Sequence, residues 1–206
     1  MIRQCYLLIV GVFLFSCCEN SSTQKIKAPV VIPKKQQVEI LIQPFSDLPV
    51  EKSKYVFIKI REKWPNTKLL PAVPIPAVAF YKPRNRYRAD SLLRWLAPKV
   101  NANQKIVGIT SKDISMTKGK NPDHGVMGLG SMGGKSCMIS TFRLKKGSNE
   151  QLFKTVIHEL GHNFGLDHCP VKTCFMRDAE GKNPLDQEKE FCTGCKKVLV
   201  NKGWKL

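Results

Sequence analysis

Acidic residues are scarce in this sequence, and its hydrophobic runs are short. Only 16 aspartates and glutamates stand against 34 lysines and arginines in 206 residues, so the formal net charge at pH 7 is +18. This balance favours anionic surroundings, namely nucleic acid, a lipid surface or an acidic cell envelope. The apolar run at residues 6–15 is about half as long as the roughly 20 residues of a spanning helix. Eight cysteines are too few for a disulfide miniprotein of this length.

The remaining composition is that of a folded globular chain. Hydrophobic residues make up 42% of the sequence and charged residues 24%, which excludes a largely disordered, collagen-like or coiled-coil protein. The length suits one domain rather than two. Function must therefore be inferred from where particular side chains lie along the chain.

The first residues have the pattern of an export signal. Arg3 precedes the apolar run, and the motif Leu14-Phe15-Ser16-Cys17 follows it, as in a secretory signal peptide. This motif also resembles a bacterial lipobox, in which the cysteine is acylated and becomes the mature N-terminus; an ordinary cleaved signal is the alternative. The protein is then expected to be exported to a bacterial cell envelope and lipid-anchored to a membrane, on its periplasmic or surface face. We predict a lipoprotein-type signal peptide at 1–16, lipidation at Cys17 and a flexible tether at 17–37.

Strand and helix patterns alternate from residue 38 onward, which predicts an α/β (α+β) domain over residues 38–206. The capping-box pattern at Ser148–Gln151 opens the helix with the clearest apolar face, and Asn183-Pro184 predicts a further helix start. The Lys/Gly/Asn/Pro-rich segment after Thr110 is expected to be a loop. The predicted strands are 38–42, 68–73, 105–110, 126–130 and 136–144, and the other predicted helices are 47–64, 87–97 and 196–200.

The helix that begins near residue 148 carries a metal-binding pattern. His158 and His162 are one turn apart on one face, as zinc binding requires, and Glu159 lies beside them without being a ligand. Gly165 can adopt the left-handed conformation that ends a helix, so that His168 returns as a third ligand. Three histidines leave a fourth position open for water, which is typical of a catalytic zinc.

Four cysteines follow this helix within a short segment. Cys169 comes directly after the third histidine, Cys174 lies near it, and Cys192 and Cys195 form a C-x-x-C pair. Thiolates at this spacing can bind one metal ion tetrahedrally. Two disulfides are the alternative, because export to an oxidising compartment permits them.

Residues 158–195 resemble the archaemetzincin family of zinc peptidases, whose pattern is HExxHxxGxxHCx4CxM…CxxC. Met176 supplies the methionine of this pattern, and the spacer between it and Cys192 is shorter than is usual in the family. The resemblance implies a compact metzincin-like core with a mixed twisted sheet, an active-site helix and a C-terminal zinc-knuckle segment. It also implies that Met176 is the Met-turn residue below a catalytic zinc. The four cysteines would hold a second, structural zinc, which makes two Zn²⁺ per chain.

These residues together predict a zinc metallopeptidase that acts on a peptide or protein substrate. We expect zinc on the three histidines to activate a water molecule, and Glu159 to accept its proton as general base. Val126–Gly130 is the candidate edge strand along which an extended peptide would lie. The alternative is a catalytically weak, zinc-stabilised binding protein at the cell envelope, although the intact Glu159 argues against it.

Residues outside the motif are assigned simpler roles. The segment Lys82–Arg88 contains four basic residues, Arg86 among them, and is expected to form a solvated basic face near anionic envelope surfaces. No nucleic-acid partner is expected, because no recognition module accompanies this face and export separates it from nucleic acid. His124 is predicted to be a solvated loop residue, and Cys137 a small buried hydrophobic residue. The protein is expected to be a monomer.

Overall fold

The computed structural model describes residues 37–206. The predicted signal peptide, the lipidation site Cys17 and all but the last residue of the tether lie outside the described residues. The helices within them are α1 (Val50–Lys63), α2 (Ala89–Leu96), α3 (Asn149–Asn163) and α4 (Thr193–Asn201). The strands are β1 (Glu39–Pro44), β2 (Thr67–Leu69), β3 (Phe80–Tyr81), β4 (Arg86–Arg88), β5 (Gln104–Thr110), β6 (Ile114–Lys118), β7 (Asn121–Val126), β8 (Gly128–Gly130) and β9 (Ser136–Ser140).

The larger sheet is mixed and has the strand order β2-β1-β5-β9-β8. Strands β1, β2, β5 and β9 are parallel, and β8 pairs antiparallel with β9 at one edge. Parallel strands need crossover connections, which α1, α2 and the intervening segments supply. The prediction of an α/β fold with a mixed sheet is confirmed.

Both faces of the larger sheet are covered by helices. Alternate side chains of its strands point in opposite directions and so enter two different cores. Ile40 and Ile42 of β1 belong to the core that includes α1 and α3, whereas Leu41 belongs to the core that includes α2. Cys137 of β9 is fully buried in the first core, as the sequence predicted. A strand buried on both faces has no polar side, which explains the continuous apolar run in β1.

Helix α3 forms where its local sequence predicts it. The hydroxyl of Ser148 accepts a hydrogen bond from the N–H of Gln151 at 3.1 Å, which satisfies one of the free N–H groups at the helix start. The apolar face of the helix is buried against the sheet and α1, and it consists of Leu152, Phe153, Val156, Ile157 and Leu160.

A smaller sheet has the order β3-β4-β6-β7. Its strands β6 and β7 lie mostly in sequence that was predicted to be a loop. Strands β6 and β7 form an antiparallel hairpin with an irregularity between Met116 and Lys118. His124 is therefore a half-buried strand residue and not the solvated loop residue that was predicted. The prediction of a loop after Thr110 was wrong because this hairpin carries few apolar residues and includes Pro122, which weakens the strand pattern.

Other predictions also need correction. Residues 126–130 do not form one strand, because Val126 ends β7 and the edge strand β8 begins at Gly128. Tyr87 lies in β4, so the second helix begins only at Ala89. No helix begins at Asn183: its Oδ1 accepts the N–H of Leu185 at 3.2 Å, but the chain makes a single turn, closed by the bond from Gln187 N–H to the carbonyl of Pro184 at 2.8 Å. Arg86 is not part of a solvated face: it is 9% exposed and its guanidinium forms ion pairs with Asp113 at 3.1 Å and Asp123 at 3.4 Å.

Within residues 37–206, no helix combines the length and the apolar character needed to cross a membrane.

Candidate active site

The chain turns back sharply after α3, which returns the third histidine to the helix. Gly165 has φ +84°, a left-handed conformation that favours glycine. The N–H of Gly165 donates to the carbonyl of His162 at 2.8 Å, and the N–H of Leu166 donates to the carbonyl of Gly161 at 2.9 Å. These two bonds form a Schellman motif, which satisfies the free carbonyls at the helix end. His168 consequently lies beside the last turn of α3.

The three histidines of the motif converge. One ring nitrogen from each of His158, His162 and His168 lies within 4.8 Å of the others, and Nε2 of His158 is 3.1 Å from Nε2 of His162. Nδ1 of His158 faces the carbonyl of Phe175 at 2.6 Å, and Nδ1 of His162 faces the carbonyl of Leu166 at 2.8 Å. A ring that donates Nδ1–H to a carbonyl keeps the lone pair of Nε2 free for a metal ion.

The environment keeps the two helical histidines neutral. Burial lowers the pKa of His158 to about 4, and the neighbouring His162 adds to this shift. Burial also lowers the pKa of His162. The neutral imidazole is the form that binds a metal ion, so both side chains are in that form at neutral pH.

Glu159 lies between α3 and the edge strand β8. A Cβ on Gly128 would be 2.5 Å from Oε1 of Glu159, and one on Gly130 would be 2.9 Å from Oε2. Both positions must therefore be glycine for the carboxylate to occupy this place. Burial raises the pKa of Glu159 to about 8, and the hydrogen bond from the N–H of Gly130 opposes this shift.

Met176 is fully buried against the histidine-bearing turn of α3. A Cβ on Gly161 would be 2.3 Å from Sδ of Met176, so the sulfur packs directly on the backbone between the two helical histidines. The N–H of Cys169 donates to the carbonyl of Met176 at 2.7 Å. This bond joins the turn that contains Met176 to the segment that carries His168.

The four cysteines after the helix form a second cluster. The sulfur atoms of Cys169, Cys174, Cys192 and Cys195 all lie within 4.8 Å of one another, and Cys169 Sγ is 3.6 Å from Cys192 Sγ. The N–H of Cys195 hydrogen-bonds to Cys192 and is the main cause that lowers the pKa of Cys192 to about 7. Burial raises the pKa of Cys174 and of Cys195.

Both clusters suit zinc by their donor atoms. Three neutral imidazoles with an open fourth position are the ligands of many catalytic zinc sites, and four thiols are those of structural sites. Tetrahedral zinc with Zn–S bonds of about 2.3 Å separates its sulfur ligands by roughly 3.8 Å, which is close to the separation of Cys169 and Cys192.

Several residues at this site were not found from the sequence. Gly128 and Gly130 adjoin Glu159, and their spacing was a usable signal because residues two apart in a strand face the same side. Asn163 donates hydrogen bonds from Nδ2 to the carbonyls of Ser131 and Ser136, and so ties the turn between β8 and β9 to α3. No sequence pattern indicated that contact.

The mixed sheet, the helix beneath its edge strand and the histidine motif define a zinc metallopeptidase. Comparison with known proteins gives the family: the chain belongs to Peptidase family M54, whose model matches residues 56–201. It is 28% identical over 173 residues to the archaemetzincin of Haloquadratum walsbyi, a match that covers 77% of this chain and 97% of that protein.

Crystal structures of two archaemetzincins are similar to this structure. The one from Methanopyrus kandleri has a TM-score of 0.70 and 25% identity, and the match covers 84% of this chain and 98% of that chain. The one from Archaeoglobus fulgidus, complexed with malonate, has a TM-score of 0.67 and 26% identity, and covers 78% of this chain and 99% of that chain. The predicted family, fold class and peptidase activity are confirmed.

Proposed function

We propose that this peptidase binds its catalytic zinc through His158, His162 and His168 and uses Glu159 as its general base. The observation that carries the proposal is the convergence of three imidazoles at the end of α3, with a buried carboxylate beside them beneath an edge strand. Glu159 adjoins one ligand in sequence, which brings its carboxylate close to the site while leaving the metal to the histidines.

The chemistry divides between metal and protein. When bound, zinc supplies a Lewis acid that polarises the scissile carbonyl and lowers the pKa of water. Bound zinc would place a positive charge near Glu159 and would oppose the rise in its pKa that burial causes. The ionised Glu159 would then move the proton: its carboxylate accepts it from the attacking water and returns it to the leaving amine. The backbone of Gly128 and Gly130 shields this carboxylate from solvent and fixes its position, so that little reorganisation accompanies proton transfer.

The substrate is proposed to lie along β8 as an added strand. On its inner side β8 is paired with β9: the N–H of Ser140 donates to the carbonyl of Met127 at 2.8 Å, and the N–H of Ser131 donates to the carbonyl of Ser136. Backbone groups alternate in direction along an antiparallel strand, so those of Gly128 point to the outer edge. They can hydrogen-bond to an extended peptide without regard to its side chains.

The decisive experiment compares variants on α3 in a peptide-library digest read by mass spectrometry. Glu159→Gln is expected to keep its zinc content and to lose about 10²- to 10⁴-fold in activity, because glutamine cannot accept the proton. His162→Ala is expected to lose both zinc at this site and activity. Glu150→Gln is the matched control, because it removes a carboxylate from the exposed start of the same helix.

Cleavage by Glu159→Gln at the rate of the unmodified protein would contradict the general-base assignment. Cleavage that survives a chelator would contradict the role of zinc. An equal loss of activity in Glu150→Gln would show that activity depends on the net charge of α3. That result would contradict a specific role of Glu159.

We also propose a second, structural zinc on the four cysteines, which makes two zinc ions per chain. The mutual proximity of four sulfurs drawn from separate segments supports this assignment. Because all the proposed ligands come from one chain, the active unit is proposed to be a monomer.

The sequence supports the further proposal that the protein is exported to a bacterial cell envelope and lipid-anchored through Cys17. Cys17→Ala is expected to abolish labelling by a clickable fatty acid and to release the protein from membranes. Unchanged labelling of this variant would move the lipid site to Cys18 or another attachment. If the unmodified protein takes up no label, a plain secretory signal remains.

A further inference from the structure

The third histidine is held differently from the other two. Nδ1 of His158 and Nδ1 of His162 each face a backbone carbonyl, at 2.6 and 2.8 Å. Nδ1 of His168 instead faces the carboxylate of Asp178, with 3.5 Å between Nδ1 and Oδ2. His168 also lies beyond the end of α3, and its side chain is 48% exposed. Neither the helix nor close burial therefore fixes the orientation of this imidazole.

We propose that Asp178 is a positioning residue for His168: its carboxylate accepts Nδ1–H and so directs Nε2 toward the other two imidazoles. A carboxylate in this position fixes the tautomer and the ring orientation of a ligand histidine and raises its basicity. The inference rests on the proposed function, because it assigns a role to Asp178 only if the three histidines bind zinc.

Asp178 is itself held in place by its own loop. Its Oδ1 accepts a hydrogen bond from the N–H of Glu180 at 2.9 Å, which leaves Oδ2 to face His168. The loop thus orients the carboxylate toward the imidazole.

The loop geometry makes Asp178→Asn a selective change. Asparagine keeps an Oδ1 that can accept the N–H of Glu180, but it replaces Oδ2 by an NH₂ group, which cannot accept a hydrogen bond from His168. Glu180→Gln is the matched control, because it removes one negative charge from the same loop and leaves the carboxylate that faces His168.

The test is a zinc titration in competition with a chelator of known affinity. The binding is monitored through the NMR signals of the imidazole rings. Three of the four histidines of the chain belong to the proposed site. Imidazole signals therefore report on zinc binding at that site and not at the cysteines. Asp178→Asn is expected to weaken zinc binding about 10-fold, the lower end of the range for such partners. Glu180→Gln is expected to bind zinc like the unmodified protein.

A double-mutant cycle separates positioning from a structural role. In a His168→Ala background, Asp178→Asn is expected to cause no further loss of zinc affinity, because the imidazole on which it acts is absent. An equal loss in both backgrounds would show that Asp178 acts through its loop, and the proposal would be overturned. Unchanged affinity of the single variant Asp178→Asn would overturn it too.

The same titration distinguishes failure of this inference from failure of the proposed function. If zinc does not shift the signals of His158, His162 and His168 in the unmodified protein, the proposed metal site itself is wrong. If zinc shifts all three and Asp178→Asn binds it equally well, only the role of Asp178 is wrong.

Discussion

The histidine site is built on one helix, whereas the cysteine cluster gathers ligands from separate segments. His158 and His162 lie one turn apart on α3, and backbone carbonyls already orient their rings. Cys169 and Cys174 lie in the irregular segment after α3, and Cys192 and Cys195 lie at the start of α4. The strand-like pairing between the segments around them is limited to isolated bridges, such as the one between Cys174 and Glu190.

This difference predicts different consequences of metal loss. Burial keeps the helical imidazoles neutral, so the fold itself prepares them to bind zinc. The thiols are less uniform, because the pKa of Cys192 is lowered to about 7 while the pKa values of Cys174 and Cys195 are raised. A metal ion must displace protons there, and its binding energy then contributes to folding. Zinc should therefore serve catalysis at the first site and stability at the second.

The largest expected effect comes from Cys174→Ser, in contrast with His162→Ala. Cys174 is fully buried, and a structural zinc contributes on the order of 10 kcal/mol to folding in small zinc domains. Cys174→Ser is therefore expected to unfold the region after α3, whereas His162→Ala loses activity and keeps most of the thermal stability. Circular dichroism melting and zinc content, measured on both variants, check this contrast.

The alternative of two disulfides is tested on the same material. Two zinc ions per chain by elemental analysis, with four free thiols in the cluster by intact mass under denaturing, non-reducing conditions, support the structural site. One zinc and a mass lowered by the hydrogens of two disulfides would refute it. That result would leave the histidine site unaffected, because the two clusters share no ligand.

Much of the site could be predicted because its information is local in sequence. The helix start at Ser148, the apolar face of α3 and the turn at Gly165 are each determined by residues within a few positions of one another. The histidine spacing then follows from helical geometry. The strands β1 and β5 were found because buried strands are continuously apolar.

The missed features depend on partners that are distant in sequence. Arg86 is buried by Asp113 and Asp123, and no local pattern shows that these charges meet. The contact between Asp178 and His168 depends on how one loop folds over another. The strand pattern of the hairpin at residues 114–126 is weak in the sequence, and the hairpin also pairs with β4, which is distant along the chain.

Gly128→Ala tests whether the fold holds the Glu159 carboxylate of the histidine site in a fixed position. The added Cβ would be 2.5 Å from Oε1 of Glu159, so the carboxylate must move, and misplacement by about 1 Å can cost roughly 10²-fold in rate. We expect kcat to fall while zinc content changes little. In a Glu159→Gln background the same substitution is expected to have no further effect, and an additional loss there would contradict the assigned contact.

Gly161→Ala probes the packing beneath the helical histidines. In an open helix this substitution stabilises by about 1 kcal/mol, but here the new Cβ would be 2.3 Å from Sδ of Met176. Overpacking typically costs about 1–3 kcal/mol, so we expect a net loss of stability in thermal unfolding. In a Met176→Ala background, Gly161→Ala is expected to cost much less stability, because the sulfur that the new Cβ would meet is absent. An equal loss of stability in both backgrounds would show that the new Cβ clashes with another group.

The smallest expected effect concerns the segment between Cys174 and Cys192, where Glu188 is 2% exposed. Its carbonyl accepts a hydrogen bond from Nζ of Lys154 at 2.6 Å, which attaches this segment to α3. Burial raises the pKa of the Glu188 carboxyl from 4.5 to about 7, and Lys154 partly opposes the shift. Between these two values the folded protein binds more protons than the unfolded chain. Stability from this group is thus complete below pH 4.5 and is lost as the pH rises toward 7.

Glu188→Gln removes this dependence, because a neutral amide of similar shape replaces the carboxyl. The difference in melting temperature, variant minus unmodified protein, is expected to increase as the pH is raised from 5.5 to 8. Glu190→Gln, which removes an exposed carboxylate nearby, is the control and should show a difference that does not vary in this way. All other groups are common to both proteins, so their contribution cancels. A constant difference for Glu188→Gln would contradict the prediction, because it would mean that folding does not change the pKa of the Glu188 carboxyl.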